Sequence, residues 1–156
     1  MIFPAIEAAF EASFSYAKKK EARNPEIESF LARYLLVLIY AEYEKRLGDL
    51  LNKRIQACKD EHIATFAKYA RQRIFRGITI ADLSEILGRL GRDYKEQFAR
   101  RVRGSTVNTA YSAIVSNRHK VAHGDGVVPL TLDDLHSYFK QSLTVLTAFQ
   151  EALGLF

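Results

Sequence analysis

The chain is short of the residues that break helices or staple small folds. Three prolines and eight glycines in 156 residues leave few sites for sharp turns. Ala, Leu, Glu, Lys and Arg abound, a balance that favours helix over sheet. One cysteine, Cys58, excludes an internal disulfide, so the default compartment is the reducing cytoplasm. The expectation for Cys58 is a small apolar residue on a helix, not a nucleophile. No basic n-region opens the chain, and Glu7 and Glu11 interrupt any apolar h-region, so no signal peptide is expected. The longest apolar run, residues 34–41, is far below the roughly 20 residues that span a bilayer. Membrane insertion is therefore not expected.

Chemical signatures are scarce as well. There is no glycine-rich phosphate loop, no nucleophile elbow and no Cys–His catalytic signature. His62 and His136 stand apart from any other metal-ligating residue in sequence. No cofactor or metal is expected.

What remains is a strongly helical pattern. With 48% hydrophobic residues the chain can build a core, and its length suits a single domain spanning residues 1–156. The expected fold class is all-α, a bundle of about five to seven helices. Residues 2–22 place Ile6, Phe10, Phe14 and Ala17 on one side. Asn24-Pro25 supplies an N-cap and a first-turn proline for a long helix to about residue 57. Its apolar stripe runs through Ile27, Phe30, Leu31, Tyr34, Leu35, Leu38 and Ile39, with Gly48 as a candidate bend. A third helix over 60–76 ends at Gly77 as a C-terminal glycine. Thr79 with Asp82, and Thr131 with Asp134, have capping-box spacing with Asp in place of Glu. They open helices ending near Gly91 and residue 152. Residues 92–103, closed by Gly104, and 106–123 complete the set. No internal repeat or low-complexity linker interrupts it.

The 106–123 segment carries the chemistry. At 100° per residue, Val107, Tyr111, Ile114, Val121 and Ala122 fall within about 60° of one direction, with Arg118 in their midst. A guanidinium on an apolar stripe needs a partner, because its charge cannot be removed. One reading gives it a carboxylate such as Asp125 or Asp134. The other holds it in a cleft to grip a phosphate, whose oxygens suit its planar fork. His119 and His123 are one turn apart. His123 falls at the helix C-terminus, where the dipole favours an imidazolium able to donate a proton near neutral pH. A two-histidine metal site is the weaker alternative, since no third ligand accompanies them.

The nine residues Ser116-Asn117-Arg118-His119-Lys120-Val121-Ala122-His123-Gly124 resemble the active-site motif of HEPN domains, all-helical bundles many of which are ribonucleases. The family motif is Arg, four to six residues, then His, with a polar residue often following the Arg. The long early helix, Phe30-Leu31-x-x-Tyr34-Leu35 through Glu44, resembles stand-alone bacterial subgroups, including the RiboL-PSP-associated one. The resemblance implies that Arg118 binds and orients the scissile phosphate, that His123 acts as general acid–base, and that His119 is a polar helper. Together they would promote attack of the RNA 2′-hydroxyl on the adjacent phosphate, without metal or cofactor. It also implies a homodimer that pairs two motifs in one cleft, acting as a toxin or defence effector with a cognate antitoxin or regulatory protein.

Basic residues extend the candidate site. The net charge is +5, compatible with RNA such as tRNA or mRNA. Asn117 and Lys120 within the motif, and Arg100, Arg101 and Arg103 before it, are candidate substrate-binding residues. For the arginine run, as for Arg71, Arg73 and Arg76, a solvated helix face is an equal reading. Two alternatives to catalysis stay open: a non-catalytic HEPN module that binds nucleotide or RNA or scaffolds a partner, and a helical interaction domain in which these residues form an interface.

Overall fold

The computed structural model describes residues 2–19, 24–75, 77–104, 106–123 and 130–155, apart from the side chains of residues 19 and 72–74. Among them are seven helices and no strand. They are α1 (Pro4–Lys19), α2 (Pro25–Gln56), α3 (Glu61–Ile74), α4 (Ile80–Leu90), α5 (Arg92–Val102), α6 (Thr106–His123) and α7 (Leu132–Ala152).

Local chemistry sets the boundaries. The Asn24 side chain accepts from the Glu26 backbone N–H, and Pro25 occupies the first turn of α2. Asp60 caps α3 by accepting from the His62 and Ile63 amides. Both expected capping boxes form at the starts of α4 and α7, with the threonine hydroxyl and the aspartate carboxylate each satisfying the other's amide. Gly104 closes α5 at φ +70°, a left-handed conformation that glycine adopts freely.

Three expectations change. The helix α2 runs uninterrupted through Gly48, whose missing side chain admits the Arg71 guanidinium: an added Cβ would lie 3.0 Å from Nη1. The helix α3 ends at Ile74, not Gly77. Gly77 serves a close approach instead, since a Cβ there would collide with the Asp82 carboxylate. Cys58 is exposed, just beyond the end of α2.

The core lies where α2, α6 and α7 meet. Tyr43 of α2 stacks parallel on Tyr111 of α6 at 5.9 Å and hydrogen-bonds the Ser142 hydroxyl of α7. Ser142 donates in turn to the Phe139 carbonyl at 2.7 Å, and Tyr111 donates to the Ile78 carbonyl at 2.6 Å. Phe3 and Phe10 extend this aromatic cluster to α1 through Phe139. Leu83 and Leu87 of α4 and Phe98 of α5 close the other side. Burial pushes the Tyr43 and Tyr111 phenols far up from the usual tyrosine range, so both stay neutral donors.

These contacts also give helix directions. Tyr40 meets Arg118 and His119, while Tyr43 meets Tyr111, so α6 runs opposite to α2. Glu28 reaches the Leu132 amide and Tyr43 reaches Ser142, so α7 runs with α2.

One stripe is not where periodicity placed it. Leu35, Leu36, Ile39, Tyr40 and Tyr43 are buried, whereas Phe30 is 70% and Tyr34 54% exposed, with Val37 beside them. The apolar arc of α2 is wider than its neighbours cover.

Candidate active site

Arg118, His119 and His123 all sit on the last turns of α6, which stays helical through His123. The two aliphatic positions that follow Tyr111 into the core, Ile114 and Val115, are buried and anchor this end of the helix. Val121 packs at the core margin, while Ala122 is exposed rather than inward-facing.

Arg118 is half-buried, and its partner is an aromatic ring, not a carboxylate. Its guanidinium carbon lies 4.4 Å from the centroid of the Tyr40 ring. The cation is attracted to the negative face of the ring, by about 0.5–2 kcal/mol depending on solvent exposure. Asp134 is occupied by its capping box. Asp125 lies outside the described residues. Among the described residues the guanidinium has no hydrogen-bond or ion-pair partner, so it is held over the ring while its N–H donors are uncommitted.

His119 meets the same ring edge-on, with centroids 6.0 Å apart at 71°. Tyr40 is thus the platform under both motif residues. It was not among the sequence candidates, because nothing local links α2 to α6. Its phenol is pushed up from the ordinary tyrosine value, first by burial and then by the Glu44 and Asp82 carboxylates, with Arg118 pulling the other way. The ring therefore stays a neutral phenol at physiological pH.

His123 is exposed at the end of α6. Five residues of regular helix separate its direction from that of Arg118 by about 140°, so the two side chains of one chain diverge. Asn117 is turned back on its own helix, donating to the Ala113 carbonyl at 2.8 Å. Lys120 is exposed on the same turns.

The arginine run does not join this group. Arg101 pairs with Glu151 at 3.1 Å, near the C-terminus of α7. Arg100 lies on the same side, and Arg103 caps α5. About 18 Å of helical rise separates Thr106, beside them, from Arg118. The other histidines are elsewhere: His136 packs on Phe10 at 4.6 Å, and His62 is exposed in the first turn of α3. Among the described residues no three His, Cys, Asp or Glu side chains gather as a metal site. No described helix is long and apolar enough to cross a membrane.

An all-helical bundle with an Arg-x4-His motif closing its penultimate helix defines the class: a HEPN domain. The model of the RiboL-PSP-HEPN family matches residues 9–154, and the chain belongs to that family. Neither curated proteins nor solved structures gave a match.

Proposed function

We propose that this protein is a metal-independent endoribonuclease, acting as a toxin or defence effector. The observation that carries the reading is Arg118, held over the Tyr40 ring with its N–H donors uncommitted among the described residues. A guanidinium ordered in this way is pre-organised for the oxygens of a phosphodiester. His123 provides a proton-transfer group at a helix C-terminus. The 2′-hydroxyl gives up its proton as its oxygen bonds to phosphorus, and the 5′-oxygen leaves after accepting a proton. The products are a 2′,3′-cyclic phosphate and a 5′-hydroxyl. Arg118 stabilises the charge that grows on the phosphoryl oxygens, and His119 orients the substrate from the same turn.

The divergence of Arg118 and His123 favours a homodimer in which one copy's histidine serves the other's arginine. The exposed row of Phe30, Tyr34 and Val37 supports this. It lies about 60° to 120° round α2 from Tyr40, so a second copy covering it would abut the Arg118 platform.

The test is incubation of total tRNA and mRNA with the wild-type protein and with His123→Ala in EDTA. The wild type should cleave and leave 2′,3′-cyclic ends, and the variant should not, with unchanged circular dichroism. Ends carrying 3′-hydroxyls, cleavage that needs magnesium, or full activity of the variant would reject the mechanism.

A further inference from the structure

A second surface, built from other helices, has the chemistry of a docking site. The last turns of α2, one side of α3 and the end of α4 enclose an open cavity of about 200 Å³. Leu51, Ile55, Ala67, Ala70, Ile86 and Leu90 give it apolar walls. Phe66 forms one edge although it is 74% exposed. Ile63 and Tyr69 continue the apolar row along α3 and are also mostly exposed. The row and the cavity make one continuous apolar surface that nothing in the chain's described residues covers.

Its rim is cationic. Arg54, Arg71 and Arg89 line it, and among the described residues no acidic side chain does. Two of the three are ordered by neutral partners. Arg54 donates to the Tyr94 hydroxyl at 2.7 Å, and Arg71 donates to the Gly48 carbonyl at 3.2 Å. The Arg71 Nε–H is buried without a partner among the described residues. Among the described residues only Arg89 of the three has a carboxylate partner, Glu85 at 2.6 Å. Guanidinium groups fixed in place but not neutralised attract carboxylates at close range.

We propose that this surface binds an acidic amphipathic helix of a protein partner, with an apolar side chain seated in the cavity and flanking carboxylates on Arg54 and Arg71. A second copy of this chain fits less well, because it carries a net charge of +5 toward the same cationic rim. RNA fits less well because the cavity walls are apolar, with polar groups confined to the arginine rim. Helix-in-groove binding uses anchors at i, i+3 or i+4, and i+7. This proposal is independent of the nuclease reading.

The probe is a short designed helical peptide with a leucine face at that spacing and glutamates on its flanks. Its controls are the same leucine face with lysine flanks and a single-stranded RNA. Fluorescence anisotropy on the full chain should show saturable binding of the glutamate peptide alone. Phe66→Ser removes an exposed side chain without opening the core, and should weaken binding about tenfold or more. Arg54→Gln should weaken it too, and His123→Ala should not. Should Arg54→Gln fail to fold, amide shifts of residues 51–55 and 86–90 on peptide addition to the wild type replace it. The proposal fails if the glutamate peptide does not saturate, if lysine flanks bind equally, or if Phe66→Ser has no effect. It also fails if the RNA shifts these same amides, or if Phe66→Ser converts a dimer to a monomer.

Discussion

Tyr40 does work at one position that neither an aliphatic residue nor a second charge could do. Its face holds a guanidinium and its ring meets an imidazole edge-on. Because the attraction comes from the ring quadrupole, Tyr40→Phe should keep Arg118 in place and retain cleavage close to wild type. Tyr40→Leu preserves the burial but removes the quadrupole, and should lower kcat about tenfold, or about 1.4 kcal/mol, within the range of a partly desolvated cation–π contact. The KM should change less, since substrate can still meet a mobile Arg118. Steady-state cleavage by the two variants, with matched thermal melts, checks this. Equal activity of Tyr40→Leu and wild type would remove Tyr40 from the site.

At the scale of elements, boundaries follow from a few side chains each. The capping box at Thr131 is the clearest case, because it begins the helix that supplies Phe139, Ser142 and Phe149 to the core. Thr131→Ala orphans the Asp134 amide and should cost about 1 kcal/mol, or about 3 °C in Tm for a domain of this size. Thr131→Ser keeps the hydroxyl and should lose only a fraction of that. Differential scanning calorimetry on both variants separates the cap from side-chain packing. Periodicity is less decisive than capping. In α2 it groups Phe30 and Tyr34 with Leu35 and Ile39, yet the first two are exposed. A helix can be apolar over more of its circumference than one molecule covers.

At the scale of the whole molecule, the divergence of Arg118 and His123 makes a shared site testable by mixing. Arg118→Ala and His123→Ala, each inactive alone, should regain part of the activity when co-refolded, because one hybrid site then holds an intact pair. A fully active monomer by light scattering would show that one chain suffices. The core makes a separate prediction about pH. Tyr43 and Tyr111 keep their protons in the folded chain, chiefly because they are buried. The unfolded chain releases those protons above about pH 10. Stability from these phenols is therefore complete below that value and is lost as pH rises beyond it. Urea midpoints should be lower at pH 11 than at pH 9, and Tyr43→Phe should reduce the difference.

The sequence alone determined the helices, their order and the motif, because each depends on residues within a turn or two of one another. Asn24-Pro25, the two Thr–Asp boxes and Gly104 are such local signals, and so are the nine residues around Arg118. What only the tertiary structure decided involves residues far apart in the chain. Periodicity shows that Arg118 lies on an apolar stripe, but a stripe does not name its neighbour. Only the packing of α6 against α2 puts Tyr40 beneath the guanidinium. The same packing carries Arg100, Arg101 and Arg103 away from the motif. They precede α6, and an extended rod with the motif at its far end places the two charges at opposite ends of the bundle.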